Sequence, residues 1–302
     1  MRIIERRFFI NKTLIMIRKI ILLTIFIPFI ISCEEVDKIL ETTGLSTEEV
    51  VEGLKTALNV GTDSSSTALS IQDGYYGNAL VKIPLPPEIE QIESILKRKS
   101  LNPLVAAAFN AVASSYFEDL RKSINRAAEE SAKEAAPIFK ESITSMSISD
   151  GWEILNGNNP ADSGLKSAGF DSTAATQYFN TTTRTPLTNL YAPKIDVVLG
   201  KDLGLGFSAN TAFSTLKTSY NNAYDAAILA ASLIGGESYL TGQGLTKITT
   251  PTIGTYCTGK ALDGLFKLVG QEEVKIRRDP WAWIETAVGD ILVKVFGGSA
   301  QQ

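Results

Sequence analysis

Seven polar side chains on three predicted helices are the strongest candidates for a binding site. They are Asn125, Arg126 and Glu129 on the first helix, Gln177 and Arg184 on the second, and Lys260 and Asp263 on the third. In one shared pocket, the arginines could clamp an anionic ligand while the carboxylates orient it. The same set contains pairs at i, i+3 and i, i+4, which is also the spacing of routine contacts on a helix surface. The sequence leaves both interpretations open.

The residue types exclude most catalytic chemistry. The chain has no histidine, which excludes nucleophile–histidine pairs and histidine-bearing metal sites. Two cysteines, Cys33 and Cys257, are too few for a cysteine-rich zinc site or an iron–sulfur cluster within one chain. We therefore assign no catalytic residue, no metal and no cofactor. Cys257 falls among apolar neighbours in a predicted helix, which is typical of a buried, unreactive thiol.

The residues before Cys33 have the pattern of a lipid attachment site. Arg18 and Lys19 precede the apolar run 20–31, which at about 1.5 Å per residue is too short to span a bilayer. Ser32 then places a small residue directly before the cysteine. This stretch resembles the lipobox of bacterial lipoproteins, in which the cysteine thiol receives a diacylglyceryl group before cleavage. A plain signal peptide followed by a chance cysteine is the alternative.

A lipid site at this position predicts how the chain is divided. We expect a signal peptide over 1–32, a lipidated amino terminus and tether over 33–45, a helical domain over 46–297 and a tail over 298–302. Met16 is an alternative true start of the signal peptide. Glu34 and Glu35 resemble an acidic export signal for the outer surface, or form an ordinary solvated linker. The prediction is a lipid-anchored protein of the cell envelope, in the outer membrane on its periplasmic side or at the cell surface.

Charge and composition limit the partners. Removal of residues 1–32 leaves 23 basic and 32 acidic residues, a net charge of −9. A nucleic-acid-binding surface must be basic to displace counterions, so we predict no nucleic-acid partner. Hydrophobic residues make up 44% of the chain and aromatic residues 8%, which is enough to build a core and excludes wholesale disorder.

Apolar residues recur every three to four positions, which predicts an all-α, multi-helix bundle in a single domain. Helices are expected over 46–70, from Pro87, over 104–140, from Asp171 onward, over 213–233 and over 252–278, with a last helix opening at Pro280. Pro137 should kink or restart the third, and Pro186 and Pro193 should interrupt the fourth. The run Ile83–Pro87 (IPLPP) predicts an extended strap across the helices, with a polyproline partner motif as the alternative. The charge run 272–278 reads as a solvated helix face.

Several of these segments, in order, resemble the bacterial lipoprotein family known as domain-of-unknown-function family 4197. The matching segments are Asp73-Gly74 with Gly77-Asn78, Ile83–Pro86, Ser123–Glu129, Ala136–Phe139, Ala174–Phe179, Lys260–Phe266, and Glu272-Glu273 with Ile276–Pro280. The sequence departs from the family pattern by insertions at 156–170 and 200–250. The resemblance implies an all-helical, lipid-anchored envelope protein without an established activity, and it carries no catalytic residues over to this chain.

The function predicted from these observations is that of a non-enzymatic module. We expect a helical domain, tethered to the membrane through Cys33, that binds an envelope protein or a small ligand. An enzyme that works through carboxylates and arginines, without metal or histidine, is the first alternative. A purely structural envelope spacer is the second.

Overall fold

The computed structural model of the protein describes residues 44–98, 100–160 and 170–298. The predicted signal peptide, the lipidation site Cys33, and most of the tether and of the carboxy-terminal tail lie outside these residues. Within them, the chain forms eleven α-helices and no β-strand, and from Thr47 onward it is one compact unit. The predicted all-α single domain is therefore confirmed. No helix in the described ranges is long and apolar enough to cross a membrane.

The described helices follow one another along the chain from Thr47 to Phe296. They are α1 (Thr47–Ser70), α2 (Pro87–Lys97), α3 (Pro103–Ala108), α4 (Ser114–Ala132), α5 (Ala135–Ser145), α6 (Gly151–Leu155), α7 (Ala174–Leu199), α8 (Ala209–Ala230), α9 (Glu237–Gly242), α10 (Gly254–Arg278) and α11 (Gly289–Phe296). Three 3₁₀ helices connect them at Phe109–Ala111, Ser232–Ile234 and Pro280–Trp283.

Helix α1 lies at the centre and packs most extensively against α10. Its apolar stripe, which includes Val50 and Leu54, is fully buried. Small residues allow its neighbours to come close: a Cβ atom added at Gly53 would lie 2.6 Å from Val295 of α11. One added at Gly61 would lie 3.2 Å from Val269 of α10. Close helix packing is therefore the role of this glycine spacing.

The domain has two distinct ends. At the entry end, where α1 begins, the Trp152 indole of α6 donates to the Thr47 hydroxyl at 3.4 Å, and Lys294 of α11 pairs with Glu49. At the far end, α1 leads into a turn whose Tyr75 hydroxyl donates to the carbonyl of Ala261 in α10. Glu129 of α4 bonds this turn, and Arg121, about two turns nearer the start of α4, pairs with Glu93 of α2.

The predicted strap is confirmed. Along residues 81–86, Val81, Ile83 and Leu85 are buried, whereas Lys82 between them is half-buried and Pro84 is exposed. The alternation is that of an extended segment lying on a helical surface. Pro87 then occupies the first position of α2, as the sequence predicts.

The helix predicted over 104–140 is broken twice. The second break precedes α5 and places Pro137 in the first turn of that helix, where its missing N–H group costs nothing. The first break, a 3₁₀ turn followed by an extended Val112, was not expected. Asn110 and the β-branched Val112 are weak helix formers, but no stronger local signal marks this break.

Pro186 and Pro193 do not interrupt α7, which runs continuously from Ala174 to Leu199. Each internal proline costs about 3 kcal/mol in an isolated helix. Here one face of the helix is fully buried in the core. It contains Leu187, Tyr191 and Ile195, which are spaced four residues apart. Packing of that stripe therefore outweighs the local preference. Between the helices predicted over 213–233 and 252–278, the described chain forms the short α9 and no strand.

Candidate functional site

Asn125 clamps the strap to α4. Its side-chain carbonyl accepts the N–H of Ile83 at 2.8 Å, and its amide nitrogen donates to the carbonyl of the same residue at 2.8 Å. The amide also donates to the carbonyl of Arg121. The side chain is completely buried. These bonds occupy Asn125 with backbone groups of the chain itself.

Arg126 and Glu129 hold the turn that follows α1. One oxygen of the buried Glu129 carboxylate accepts the N–H groups of Tyr75 and Tyr76 at 3.1 and 3.0 Å. The other oxygen accepts from Arg126 at 2.5 Å. The second guanidinium nitrogen of Arg126 donates to Asp73 at 2.8 Å, and Asp73 has a left-handed backbone with φ 65°. This group of charges closes the turn.

The remaining predicted residues lie on α7 and α10. Arg184 donates to the carbonyl of Gly259 at 2.8 Å and to Asp263 at 2.6 Å. Lys260 reaches the other oxygen of Asp263 at 3.3 Å. The side chain of Gln177 is exposed on α7. The structure thus brings Arg184, Lys260 and Asp263 together and places Gln177 apart from them.

Three candidates, Asn125, Arg126 and Glu129, therefore bond the strap and the turn, and three others, Arg184, Lys260 and Asp263, meet between α7 and α10. A cleft of about 350 Å³ between the strap and α10 is lined by Lys260 and Asp263, together with Lys82 and Lys267. None of the other five candidates lines this cleft. Lys82 turns towards the ring of Tyr76, with its ammonium 3.8 Å from the ring centroid. The cleft is a shallow, partly basic surface.

A buried ion pair on α10 was missed in the sequence. The Glu273 carboxylate accepts the N–H groups of Ala175 and Thr176 at the first turn of α7, at 3.0 and 2.7 Å. Arg277 donates to Glu273 at 2.8 Å and to the last carbonyls of α6, those of Ile154 and Leu155. The acid therefore caps a helix amino terminus and the base a helix carboxy terminus, each matching the helix dipole.

The interpretation of 272–278 as a solvated face was therefore wrong for two of its charges. Glu273 and Arg277 continue a buried series on α10 that recurs every fourth residue: Ala261, Leu265, Val269, Glu273 and Arg277. This spacing was visible in the sequence. The mixture of acidic and basic residues over 272–278 is instead typical of a solvated helix face, which is why the charge pattern alone gave the wrong prediction.

A groove of about 700 Å³ with a mixed apolar and polar lining lies at the far end of the domain, where α2, α3 and the start of α4 meet. We call it the α3 groove. Its walls include Leu96, Leu101, Ala106, Ala107, Phe109 and Phe117. Phe109 is held in place by stacking on Tyr220 of α8, with ring centroids 5.7 Å apart. The small alanines and the break between α3 and α4 leave the space open.

The one acidic residue that lines the α3 groove, Glu93, is paired with two basic residues. The buried Glu93 carboxylate accepts from Lys97 and from Arg121, each at 2.6 Å. Lys97 lies at the rim with 65% of its side chain exposed. Apolar walls and a few satisfied polar groups are the usual lining of a small-molecule site, and 700 Å³ is within the usual size range.

Burial and hydrogen bonding shift the pKa values of Glu118 and Cys257 in opposite directions. Burial raises the pKa of Glu118, but hydrogen bonds from Tyr76 and Arg121 outweigh it and lower the pKa overall. A carboxyl held ionised in this way is a poor general acid. Burial, with Asp196 nearby, raises the pKa of the Cys257 thiol to about 12, as expected for a buried, unreactive cysteine. The described residues contain no cluster of three acidic or thiol groups that could hold a metal.

Comparison with known proteins identifies the family alone. A family model described as "Protein of unknown function (DUF4197)" matches residues 44–297. No curated protein and no solved structure matches the chain.

Proposed function

This chain belongs to the family of proteins of unknown function DUF4197, and we propose that it is a lipid-anchored envelope protein whose helical domain binds a small apolar ligand without catalysis. The α3 groove is the observation that carries the ligand-binding part. The lipobox at Cys33 and the basic, apolar segment before it support the anchor.

The polar residues of the domain support binding rather than catalysis. Asn125 and Glu129 are saturated by backbone groups of the turn and the strap. Arg277 and Glu273 join three helices in the same way. These side chains are engaged in holding the turn, the strap and the helices together.

The position of the groove also fits a binding module. It lies beyond the turn that ends α1, at the end of the domain opposite to Thr47.

The first prediction concerns the occupancy of the groove. Ala107 is exposed on the groove wall, so Ala107→Trp fills the space without entering the packed core. We expect the wild-type protein to bind the apolar fluorophore 1-N-phenylnaphthylamine saturably, and Ala107→Trp to weaken that binding about tenfold, or about 1.4 kcal/mol. Fluorescence titration measures both.

The matched control is Ala68→Trp, which adds the same ring to an exposed position of α1. It should bind the fluorophore like the wild type. Equal affinity in Ala107→Trp, or the absence of saturable binding in the wild type, would contradict a ligand-binding role for the groove.

A protein partner is the second candidate. Leu229, Leu233 and Ile234, at the end of α8 and in the 3₁₀ helix after it, are 76%, 95% and 44% exposed. Clusters of exposed apolar side chains often mark protein interfaces. None of these three residues lines the α3 groove, so the Ala107→Trp result distinguishes the two candidates.

A further inference from the structure

An exposed aromatic and aliphatic surface follows α10. Trp281 is 60% exposed and Ile284 38% exposed, and Trp283 between them is half-buried. The exposed charges around them are one basic and two acidic residues, Arg278, Asp279 and Glu285. We call Trp281, Trp283 and Ile284 the tryptophan surface. A tryptophan side chain combines an apolar ring with a polar N–H group, so an exposed one suits an environment that offers both apolar and polar contacts.

The tryptophan surface lies at the entry end of the domain. Immediately before it, Arg277 binds the last carbonyls of α6, the helix whose Trp152 donates to Thr47. Immediately after it, α11 places Val295 against Gly53 and pairs Lys294 with Glu49 in the first turn of α1. The surface is therefore held by the same elements that surround Thr47, where the chain leading from Cys33 enters.

We propose that Trp281 and Ile284 insert into the interfacial layer of the bilayer that holds the Cys33 lipid, an inference that depends on the proposed anchor. The 13 residues from 34 to 46 span at most about 45 Å when fully extended. A tether of this length keeps the entry end at a high effective concentration near the lipid surface, so a weak contact is sufficient.

The chemistry of the surface favours a membrane as its occupant. Tryptophan concentrates at membrane–water interfaces because its ring is apolar and its N–H group needs a polar partner. The charges near Trp281 include more acidic than basic residues and do not favour an anionic surface, so a zwitterionic bilayer should be sufficient.

The test measures how close Trp281 lies to lipid. The full lipidated protein with Trp152→Phe and Trp283→Phe retains one tryptophan, Trp281, and is reconstituted in phosphatidylcholine vesicles with brominated acyl chains. We expect bromine to quench most of the Trp281 fluorescence, and Ile284→Asp in this background to restore it. The matched protein with Trp281→Phe and Trp283→Phe retains Trp152 and should be unquenched.

Each outcome decides the proposal. Quenching of Trp281 alone supports it. If the protein floats with the vesicles but Trp281 remains unquenched, the membrane contact is wrong while the anchor stands. If the protein does not float with the vesicles, the anchor is wrong and the contact falls with it. Circular dichroism of each variant shows whether the helical domain is folded.

Discussion

Polar side chains in this domain bind the backbone more than they bind one another. The turn after α1 and the strap contain peptide groups without helical partners, and a buried peptide group must be paired. Glu129 supplies two acceptor bonds to the turn, and Asn125 satisfies both backbone groups of Ile83. An amide or carboxylate at such a position resembles a ligand-binding residue in sequence, although its partner is the chain itself.

The Glu273–Arg277 pair predicts a large effect of a single substitution. Arg277→Met would leave the Glu273 carboxylate buried without its counter-ion and two carbonyls of α6 without donors. Loss of one partner from a buried ion pair costs about 3–5 kcal/mol. We expect the free energy of unfolding, measured in urea, to fall by that amount.

Lys275→Met is the control for that measurement. Lys275 lies two positions earlier on α10, is 61% exposed and pairs with Glu272 at 2.6 Å. Exposed pairs contribute about 0–1 kcal/mol, so its removal should change stability little. Similar losses in the two variants would show that the buried pair is not the source of stability we assign to it.

At the scale of the residue, the sequence predicted less than at any other scale. It predicted the pairing of Lys260 with Asp263, because residues three apart on a helix are neighbours. It could not predict that Glu129 binds the turn or that Arg184 crosses from α7 to Gly259, because both contacts join residues more than 50 positions apart. The groove walls carried a weak signal, the alanine-rich stretch 106–113.

At the scale of the element, local signals placed the starts of helices well. Pro87 begins α2 as predicted, and the Asn102 side chain, which accepts from the N–H of Leu104 at 3.0 Å, caps the start of α3. Capping and proline geometry act within one turn, so the sequence contains them in full. The continuity of α7 through Pro186 and Pro193 depends on packing against other helices and is therefore not a local property.

Substitutions at two glycines of α10, Gly264 and Gly259, measure how closely this helix packs against its neighbours. A Cβ atom at Gly264 would lie 2.6 Å from the ring of Tyr75, which is fully buried and fixed by its hydroxyl bond to Ala261. We expect Gly264→Ala to destabilise the domain by about 1–3 kcal/mol because the ring cannot move away. The melting temperature and the urea midpoint report this change.

Gly259→Ala is the matched change on the same helix. Nothing lies within 4 Å of a Cβ atom at Gly259, so alanine there should stabilise α10 by about 0.5–1 kcal/mol through its higher helix propensity. Opposite signs for the two variants are expected. A neutral Gly264→Ala would mean that Tyr75 is not tightly held.

At the scale of the whole molecule, the two ends of the domain suit two different tasks. The entry end combines Thr47 with the exposed Trp281, and the far end contains the α3 groove. The ends are joined by α1 and α10, which pack closely through Gly61. If both proposals hold, the membrane contact and the ligand-binding groove lie at opposite ends of the domain, separated by the length of α1 and α10.

The lipid anchor is tested by substituting Cys33, with the substitution of Cys257 as the control. Each buried methylene of an acyl chain contributes about 0.8 kcal/mol, so two or more chains on Cys33 should hold the protein on the membrane almost irreversibly. Cys33→Ala should therefore move the protein from the membrane fraction to the aqueous fraction, and the intact mass of the wild-type protein should include the lipid. Cys257→Ala removes a buried thiol of α10 and should leave the protein in the membrane fraction. A Cys33→Ala protein that stays in the membrane fraction, or an unmodified amino terminus in the wild type, would refute the anchor and the membrane contact of Trp281 together.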